Sequence, residues 1–260
     1  MDLAKYWTGK TVLITGASSG LGAALTEALA PYRIQFCLVS RRLEPMQNLV
    51  SKLSNTSSKF ALQPCDVRNR EKVQSVIDDF VRQAGRLDVT WINSGIGSET
   101  SFQNWNWDAV EQTLDTNLKG AIYTAHACLT HMAAQNHGTI VAISSAAAMR
   151  GLPATAIYSI TKVGLAYYME SIACEFPQLQ FTTIFPGYVD TPINQENPNR
   201  FWLMTAEKAA QLMIKAVAAG KREYIYPFRM KLLFHLIRAL PPSLYRKIGH
   251  RQIHLRRKPV

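Results

Sequence analysis

Several features are missing from this sequence of 260 residues, and each absence excludes a class of protein. No uncharged apolar run reaches the length of about eighteen residues that a helix needs to span a bilayer. The first residues, Met1 to Lys5, contain neither the basic segment nor the apolar segment of a signal peptide. A cytoplasmic protein is therefore expected.

Cysteine is also scarce. The four cysteines are far apart, form no Cys-x-x-Cys pair and have no histidine nearby at a zinc-ligand spacing. We therefore predict no metal site and no disulfide, and we expect these side chains to be reduced and mostly buried. They are Cys37, Cys65, Cys128 and Cys174.

Acidic residues are almost missing from one end of the chain. Residues 221–260 contain 11 Lys and Arg but only one acidic residue, Glu223, whereas residues 1–220 contain 18 basic and 17 acidic residues. A nucleic-acid-binding fold usually spreads its cations over a folded recognition face. Here the basic residues are instead concentrated in residues 221–260, which favours a local electrostatic function of that segment. No nucleic-acid partner is expected.

Short β-branched runs alternate with longer amphipathic segments along most of the chain, a pattern that predicts a doubly wound, Rossmann-like α/β fold with helices on both faces of a parallel sheet. The predicted strands are Thr11–Thr15, Ile34–Ser40, Phe60–Cys65, Asp88–Asn93, Gly138–Ser144, Gln180–Phe185 and Glu223–Tyr226. The predicted helices are Leu21–Ala30, Asn69–Ala84, Trp107–Gln135, Ala156–Phe176 and Ala206–Ala219. We expect one domain, residues 1–226, followed by a basic amphipathic tail, residues 227–260.

A glycine-rich turn follows the first predicted strand and leads into a helix. Glycines at such a turn let the backbone approach a pyrophosphate, whose charge then lies at the helix N-terminus. The Gly-x-x-x-Gly-x-Gly spacing differs from the common dinucleotide fingerprint, so a turn that binds nothing is the alternative. The candidate cofactor-binding residues here are Gly16, Ser18, Ser19, Gly20, Leu21 and Gly22.

The second predicted strand ends at Arg41 and Arg42, where many NAD-binding folds have a carboxylate for the ribose 2′-hydroxyl. Guanidinium groups suit a 2′-phosphate because they offer fixed donors and remain charged. This pair therefore favours NADP(H) over NAD(H). The alternative is a solvated pair of charges.

The next two strands end at Asp66-Val67 and at Asn93-x-Gly95. Ligands of such sheets lie outside the carboxyl ends of the strands, so these residues are expected on the cofactor side. An aspartate there can accept a hydrogen bond from an adenine amino group. Asp and Gly also simply terminate strands, and each of the two signals is weak alone.

Ser145, Tyr158 and Lys162 form the candidate catalytic group. Tyr158 and Lys162 are four residues apart, so both project from one face of the predicted helix. A nearby ammonium lowers the pKa of a phenol toward the range of acid–base catalysis. Chance produces many Tyr-x-x-x-Lys sequences, but here Ser145 closes the preceding strand and its hydroxyl could bind a substrate oxygen.

Taken together, residues 10–226 resemble the short-chain dehydrogenase/reductase family of the single-domain type. The resemblance rests on motifs in the family's order, with Ser94 replacing the usual alanine: Thr15-Gly16-x-x-x-Gly20-x-Gly22, Asp66-Val67, Asn93-x-Gly95, Asn117, Ser145, Tyr158-x-x-x-Lys162 and Pro186-Gly187-x-Val189-x-Thr191. It implies a seven-stranded sheet in the order 3-2-1-4-5-6-7 and a catalytic tetrad of Asn117, Ser145, Tyr158 and Lys162.

The resemblance also implies how these residues act. Tyr158 would protonate the oxygen that receives hydride, Ser145 would stabilise it, Lys162 would orient the cofactor ribose, and Asn117 would hold a water linked to Lys162. Four residues would hold the nicotinamide end, namely Pro186, Gly187, Val189 and Thr191. A homodimer or homotetramer would form through the segments Trp107–Gln135 and Ala156–Phe176.

The leading hypothesis is an NADPH-dependent reductase of an apolar, lipid-like carbonyl compound. Its alternatives are an NAD(P)-dependent alcohol dehydrogenase working in the oxidative direction and a non-catalytic dinucleotide-binding regulator. The irregular segment Tyr188–Thr205 fits a substrate lid, with packing on the next helix as the alternative for Phe201 to Met204. Trp105 and Trp107 have the same two interpretations: they line an apolar substrate site, or they pack on the neighbouring helix.

The tail predicts an amphipathic helix from Phe228 to Leu240, stopped by Pro241-Pro242. Met230, Leu233, Phe234, Ile237 and Leu240 would form its apolar face, and Lys231, His235 and Arg238 its polar stripe. Residues 228–258 would then associate peripherally with an anionic membrane at its cytoplasmic face. The alternative is that the apolar face packs on the body or on a partner subunit.

Overall fold

The computed structural model describes residues 2–97, 100–195 and 200–256. Its strands are β1 (Thr11–Thr15), β2 (Gln35–Ser40), β3 (Lys59–Pro64), β4 (Val89–Ile92), β5 (Thr139–Ile143), β6 (Gln180–Pro186) and β7 (Glu223–Tyr226). Every pairing is parallel, and the strand order is 3-2-1-4-5-6-7. The predicted Rossmann-like fold class and all seven predicted strands are confirmed.

The described helices begin with a short N-terminal turn that the sequence did not predict. They are α1 (Leu3–Trp7), α2 (Gly20–Leu29), α3 (Leu43–Lys52), α4 (Arg70–Ala84), α5 (Trp107–Leu114), α6 (Gly120–Gln135), α7 (Ala156–Glu175), α8 (Ala206–Ala218), α9 (Phe228–Ala239) and α10 (Pro242–Arg256). Sequence periodicity also missed α3 and α10. None of the helices in the described ranges is long and apolar enough to cross a bilayer.

The sheet is buried on both faces because successive side chains of a strand point to opposite sides. In β1, Val12 and Ile14 pack in one core with α1, α2 and α8. Leu13, which lies between them, packs in the other core with α4, α6 and α7. The strands are therefore almost continuously apolar, as expected for a parallel sheet with helices on both faces.

The prediction of a single helix over Trp107–Gln135 is wrong in one respect. A π-helical turn, Asp115–Lys119, separates α5 from α6. Such a turn inserts an extra residue and redirects the side chains that follow, and it occurs often at functional sites. The apolar periodicity on either side conceals it.

A third, smaller core lies where α9 covers the ends of β6 and β7. Met230 and Phe234 are buried there against Ala146, Phe185 and Ile225. The Phe185 and Phe234 rings meet edge to face, with centroids 5.4 Å apart. The apolar face predicted for this helix thus packs on the body, which corrects the expectation that it is available to a membrane. The proposed domain boundary after residue 226 stays a prediction.

This packing predicts a large difference in stability between two substitutions on α9. Phe234→Ala should lower the free energy of unfolding by about 3–5 kcal/mol, because it leaves a cavity in the third core. Leu232→Ala, at a side chain 67% exposed, should change it by about 0.5 kcal/mol or less. Guanidinium unfolding measures both. Equal effects of the two substitutions would mean that α9 is not held on the body.

Candidate active site

The glycine-rich turn joins β1 to α2 at the carboxyl edge of the sheet. Gly16 has a φ of +69°, and a Cβ on Gly22 would lie 2.3 Å from the Gly16 carbonyl oxygen. Only glycine fits at Gly22, so the start of α2 lies directly against the turn. Ser19 precedes α2 without a side-chain capping bond, which leaves the first backbone N–H groups of the helix for an anion.

The end of β4 is fastened to this turn. The Asn93 side-chain amide donates to the Thr15 carbonyl oxygen at 2.9 Å, and the Thr15 hydroxyl accepts from the backbone N–H groups of Asn93 and Ser94 at 3.0 and 3.1 Å. Ser94, the departure from the family pattern, enters this network through its backbone. The structural role of Thr15 was not recognised from the sequence, although the residue lies within the glycine motif.

The arginines after β2 lie beside the glycine-rich turn. Arg42 Nη2 donates to the hydroxyls of Ser18 and Ser19 at 3.4 and 3.5 Å. Ser40, which the sequence did not single out, donates to the Ser18 hydroxyl at 2.8 Å. Arg41 is exposed and lies near enough to Asp66 to lower the pKa of that carboxyl. The Arg42 guanidinium therefore lies at one corner of the turn, and Arg41 lies on the side of Asp66.

Asp66 follows β3 at the carboxyl edge of the sheet, as predicted, but its carboxylate is already paired with Arg68. Arg68 holds both carboxylate oxygens, with Nη2 2.6 Å from Oδ2, and this pairing lowers the Asp66 pKa. Val67 packs elsewhere, since its side chain is buried in the second core and lies next to Gly120.

Ser145, Tyr158 and Lys162 converge at the carboxyl end of β5. The Tyr158 hydroxyl lies near enough to the Ser145 hydroxyl for that group to lower the Tyr158 pKa, and the Ala147 backbone N–H donates to Ser145 Oγ at 3.1 Å. Lys162 Nζ donates to the Ile143 carbonyl oxygen at 2.9 Å and lies 5.6 Å from the centre of the Tyr158 ring. The structure thus brings together all three residues singled out from the sequence.

Burial controls the electrostatics of this cluster. Lys162 is 4% exposed, and burial lowers its pKa to about 8 because the ammonium has lost its water. Burial raises the Tyr158 pKa, whereas the Ser145 hydroxyl lowers it. The sequence predicted a lowered Tyr158 pKa. Burial outweighs the lowering effect, and the Tyr158 pKa is raised instead.

Asn117 is buried in the π-helical turn and reaches the loop after β4. Its Oδ1 accepts from the Ile96 N–H and its Nδ2 donates to the Ile96 carbonyl oxygen, both at 2.8 Å. A Cβ on Gly95 would lie 3.4 Å from Asn117 Oδ1 and from Lys162 Nζ. The predicted fourth residue therefore lies beside the other three, and it also holds the loop that contains Gly95.

The segment after β6 passes close to the glycine-rich turn. Gly187 N–H donates to the Tyr226 carbonyl oxygen at 2.7 Å, while Val189 pairs with Met204 as an isolated bridge. A Cβ on Gly20 would lie 3.2 Å from the Thr191 side chain. The Thr191 hydroxyl donates to the Val189 carbonyl oxygen at 3.3 Å. Pro186 is the last residue of β6, so the four predicted residues lie at the end of the same strand or just after it.

The predicted lid contains aromatic contacts, although its residues 196–199 lie outside the described ranges. Phe201 meets Tyr188 and Trp202 edge to face, with centroid distances of 5.1 Å in both pairs. Phe201, Trp202 and Leu203 are exposed, whereas Met204 is buried in the first core. The three exposed residues fit a substrate lid, whereas Met204 fits the alternative of packing on the next helix. Trp105 and Trp107 also contact each other, at 5.3 Å, and both are exposed.

Comparison with known sequences identifies this arrangement. A sequence profile described as short chain dehydrogenase matches residues 10–200. The chain belongs to the short-chain dehydrogenase/reductase family. A Myxococcus xanthus protein described as an uncharacterized oxidoreductase is similar to it, with 32% identity over 240 residues that cover 91% of this chain and 94% of that protein.

Solved structures share the fold. An alcohol dehydrogenase from Thermococcus sibiricus, complexed with 5-hydroxy-NADP, superposes with a TM-score of 0.77 at 22% identity, covering 84% of this chain and 95% of that one. A short chain dehydrogenase from Mycobacterium paratuberculosis bound to NAD gives 0.76 at 21% identity, covering 85% and 96%. This short-chain dehydrogenase/reductase is therefore an NAD(P)-dependent oxidoreductase acting on a small molecule.

The residues of the carboxyl edge fit the dinucleotide that this family uses. The absence of a Cβ at Gly22 lets the start of α2 lie directly against the turn, and uncapped N–H groups lie at the start of that helix. Beside them lies the Arg42 guanidinium, and Lys162 and Tyr158 lie at the same edge of the sheet.

Among the described cysteines, Cys37, Cys65 and Cys128 are buried and Cys174 is exposed. Burial raises the pKa of the Cys128 thiol to about 12. The buried thiols therefore behave as small apolar side chains, as expected for most of the four.

Proposed function

We propose that this enzyme reduces a carbonyl group of an apolar, lipid-like compound to an alcohol with NADPH. The observation that carries the proposal is the convergence of the Ser145 and Tyr158 hydroxyls with Lys162 buried beside them. NADPH, when bound, supplies the hydride. The remaining chemistry is the handling of one proton at the substrate oxygen, and these side chains are suited to it.

Tyr158 is the proton donor in this proposal. Burial raises its pKa, so the phenol is protonated at neutral pH and can donate to an oxygen that gains negative charge. Ser145 donates a hydrogen bond to the same oxygen and stabilises that charge. A phenol held protonated supports reduction over the oxidative alternative, which needs a base at the same position.

Lys162 orients the ribose and restores the proton of Tyr158. Its ammonium lies next to Gly95, where the absent side chain leaves room for a ligand, and a pKa of about 8 allows it to release a proton near neutral pH. Asn117 positions this region through its two bonds to Ile96. The catalytic residues of the proposal are therefore Asn117, Ser145, Tyr158 and Lys162.

NADPH is preferred over NADH in this proposal because Arg42 lies beside the glycine-rich turn and Arg41 lies near Asp66, at the end of the neighbouring strand β3. Arg42, next to Ser18 and Ser19, would place a cation near a ribose 2′-phosphate, and the adjacent exposed Arg41 would add a second one. The exposed aromatic residues support an apolar substrate: Phe201 and Trp202 lie within the predicted lid, and Trp105 precedes α5.

Subunit pairing and membrane association belong to the same proposal. Exposed apolar side chains on α5 and α7, Trp107 and Ile160, support a homodimer or homotetramer through these helices. Residues 1–226 would form the catalytic domain, and residues 227–260 the tail that associates with an anionic membrane. Arg257 and Lys258, which were included in that tail, lie outside the described residues.

The reaction is tested by NADPH oxidation with a panel of ketones, aldehydes and 3-oxoacyl compounds. Tyr158→Phe should lower the turnover number by about a hundredfold to ten-thousandfold, because it removes the general acid, while NADPH still binds. Tyr167→Phe, which removes an exposed hydroxyl from the same helix, should leave turnover unchanged. Near-normal reduction by Tyr158→Phe would refute the assignment. Turnover of alcohols with NADP⁺ but of no carbonyl compound would favour the oxidative alternative.

Cofactor choice is tested by substituting the two arginines. Arg41→Ala and Arg42→Ala should each weaken NADPH binding by about 1.5–3 kcal/mol, the contribution of a charged hydrogen bond, and should leave NADH binding almost unchanged. Arg82→Ala, on the distant helix α4, is the matched control. Dissociation constants from fluorescence titration provide the measurement. An unaltered preference in both variants would show that the arginines are only solvated.

A further inference from the structure

Helix α9 has a second apolar face, opposite the one that packs on the body. Phe228, Leu232 and Leu236 are spaced by four residues and are 77%, 67% and 60% exposed. We call these three residues the outer stripe. On α10, Leu244 and Ile248 are also spaced by four residues and exposed. Large apolar side chains aligned in this way on a surface mark an interaction site.

Cations lie on both sides of the outer stripe. At about 100° per residue, Arg229 falls on one side of it, and Lys231 and Arg238 fall on the other. The next helix adds exposed Arg246, Lys247 and Arg251. We call these six residues the basic flanks. Among the described residues, none of these six cations forms an ion pair with an acidic side chain, so the basic flanks are available to an anionic partner.

The inner faces of both helices are fixed to the segment between Ser145 and Tyr158. Arg150 donates to the carbonyl oxygens of Ile237 and Leu240 at 3.0 and 2.6 Å, at the end of α9. Its guanidinium also lies 4.5 Å from the centre of the Tyr245 ring, and the Tyr245 hydroxyl donates to the Gly151 carbonyl oxygen at 2.6 Å. The outer stripe is thus held in a fixed orientation that faces away from the body.

We propose that the outer stripe and the basic flanks bind the surface of an anionic lipid bilayer. Apolar side chains between cations match a membrane interface, where the former enter the acyl boundary and the latter meet anionic headgroups. Pairing with a second copy through this face would bring cations against cations. A nucleic acid would leave the outer stripe exposed. The lipid surface is the partner that satisfies both groups of residues.

This docking is independent of the proposed reaction, but it bears on substrate access. Helix α9 packs on Ala146, next to Ser145, and against Tyr188, where the predicted lid begins. A lipid-bound enzyme would therefore hold this side of the candidate active site close to the bilayer. An apolar substrate dissolved in the membrane would then have a short path to it, a consequence that rests on the proposed function.

Flotation of the full chain with lipid vesicles tests the proposal. The protein should float with vesicles of phosphatidylcholine and phosphatidylglycerol at low ionic strength, and should not float with phosphatidylcholine alone or at high salt. Leu232→Ser/Leu236→Ser should weaken binding by about tenfold or more, because it removes apolar area. Lys231→Glu/Lys247→Glu should weaken it by about thirtyfold or more.

The matched control is Lys5→Glu/Lys52→Glu, which makes the same change in net charge at exposed lysines on α1 and α3. It should bind vesicles like the unaltered chain. Circular dichroism and thermal unfolding establish that each variant is folded. Because vesicle binding needs no substrate, a failure here leaves the proposed reaction untouched.

Three outcomes would overturn the proposal. The first is that the unaltered chain stays unbound with anionic vesicles at low salt. The second is that the outer-stripe variant and the charge-reversed variants, control included, all bind equally well. The third is that Leu232→Ser/Leu236→Ser leaves vesicle binding intact but dissociates an oligomer in sedimentation analysis, which would assign the outer stripe to a second copy.

Discussion

The buried ammonium of Lys162 is the constraint on which the arrangement of the site depends. Its Nζ donates to the carbonyl oxygen of Ile143, the last residue of β5, and the Ser144 hydroxyl donates to the Lys162 carbonyl oxygen at 2.8 Å. These two bonds fix the first turns of α7 against the end of β5. Tyr158 is thereby held beside Ser145, and Gly95 lies close to Nζ, which a Cβ on that glycine would meet at 3.4 Å.

Keeping this cation in the interior costs stability. Its pKa falls from 10.5 to about 8 on folding, so at neutral pH the ammonium destabilises the folded state by about 3 kcal/mol. Between pH 8 and 10.5 the unfolded chain binds the extra proton. Stability from this group therefore rises with pH across that window. A fold that retains a buried cation at such a cost favours a functional role over a structural one.

The strands and the site residues were predictable because local chemistry specifies them. The β-branched runs of β1 and β5 can only be buried strands, and Tyr158 and Lys162 share a helix face by spacing alone. The strand order came from the family resemblance. Apolar periodicity could not show the π-helical turn at Asn117, since a one-residue insertion hardly alters the pattern.

The tail shows a second limit of sequence reasoning. Helix α9 is apolar on two sides, and periodicity cannot tell which side packs on the body. Met230 and Phe234 are buried because they meet Phe185 and Ile225, residues distant in the sequence. The Arg42 contacts with Ser18 and Ser19 likewise depend on how two loops meet in space. Such long-range contacts need the structure.

The most direct test of the central claim, that a buried Lys162 organises the site, is an NMR titration of the protein with ¹³C-labelled lysine. One Cε resonance should titrate near pH 8 and should be missing in Lys162→Arg, while exposed lysines titrate near their usual pKa of about 10.4. The account would be contradicted if the Lys162 resonance titrated together with those of the exposed lysines.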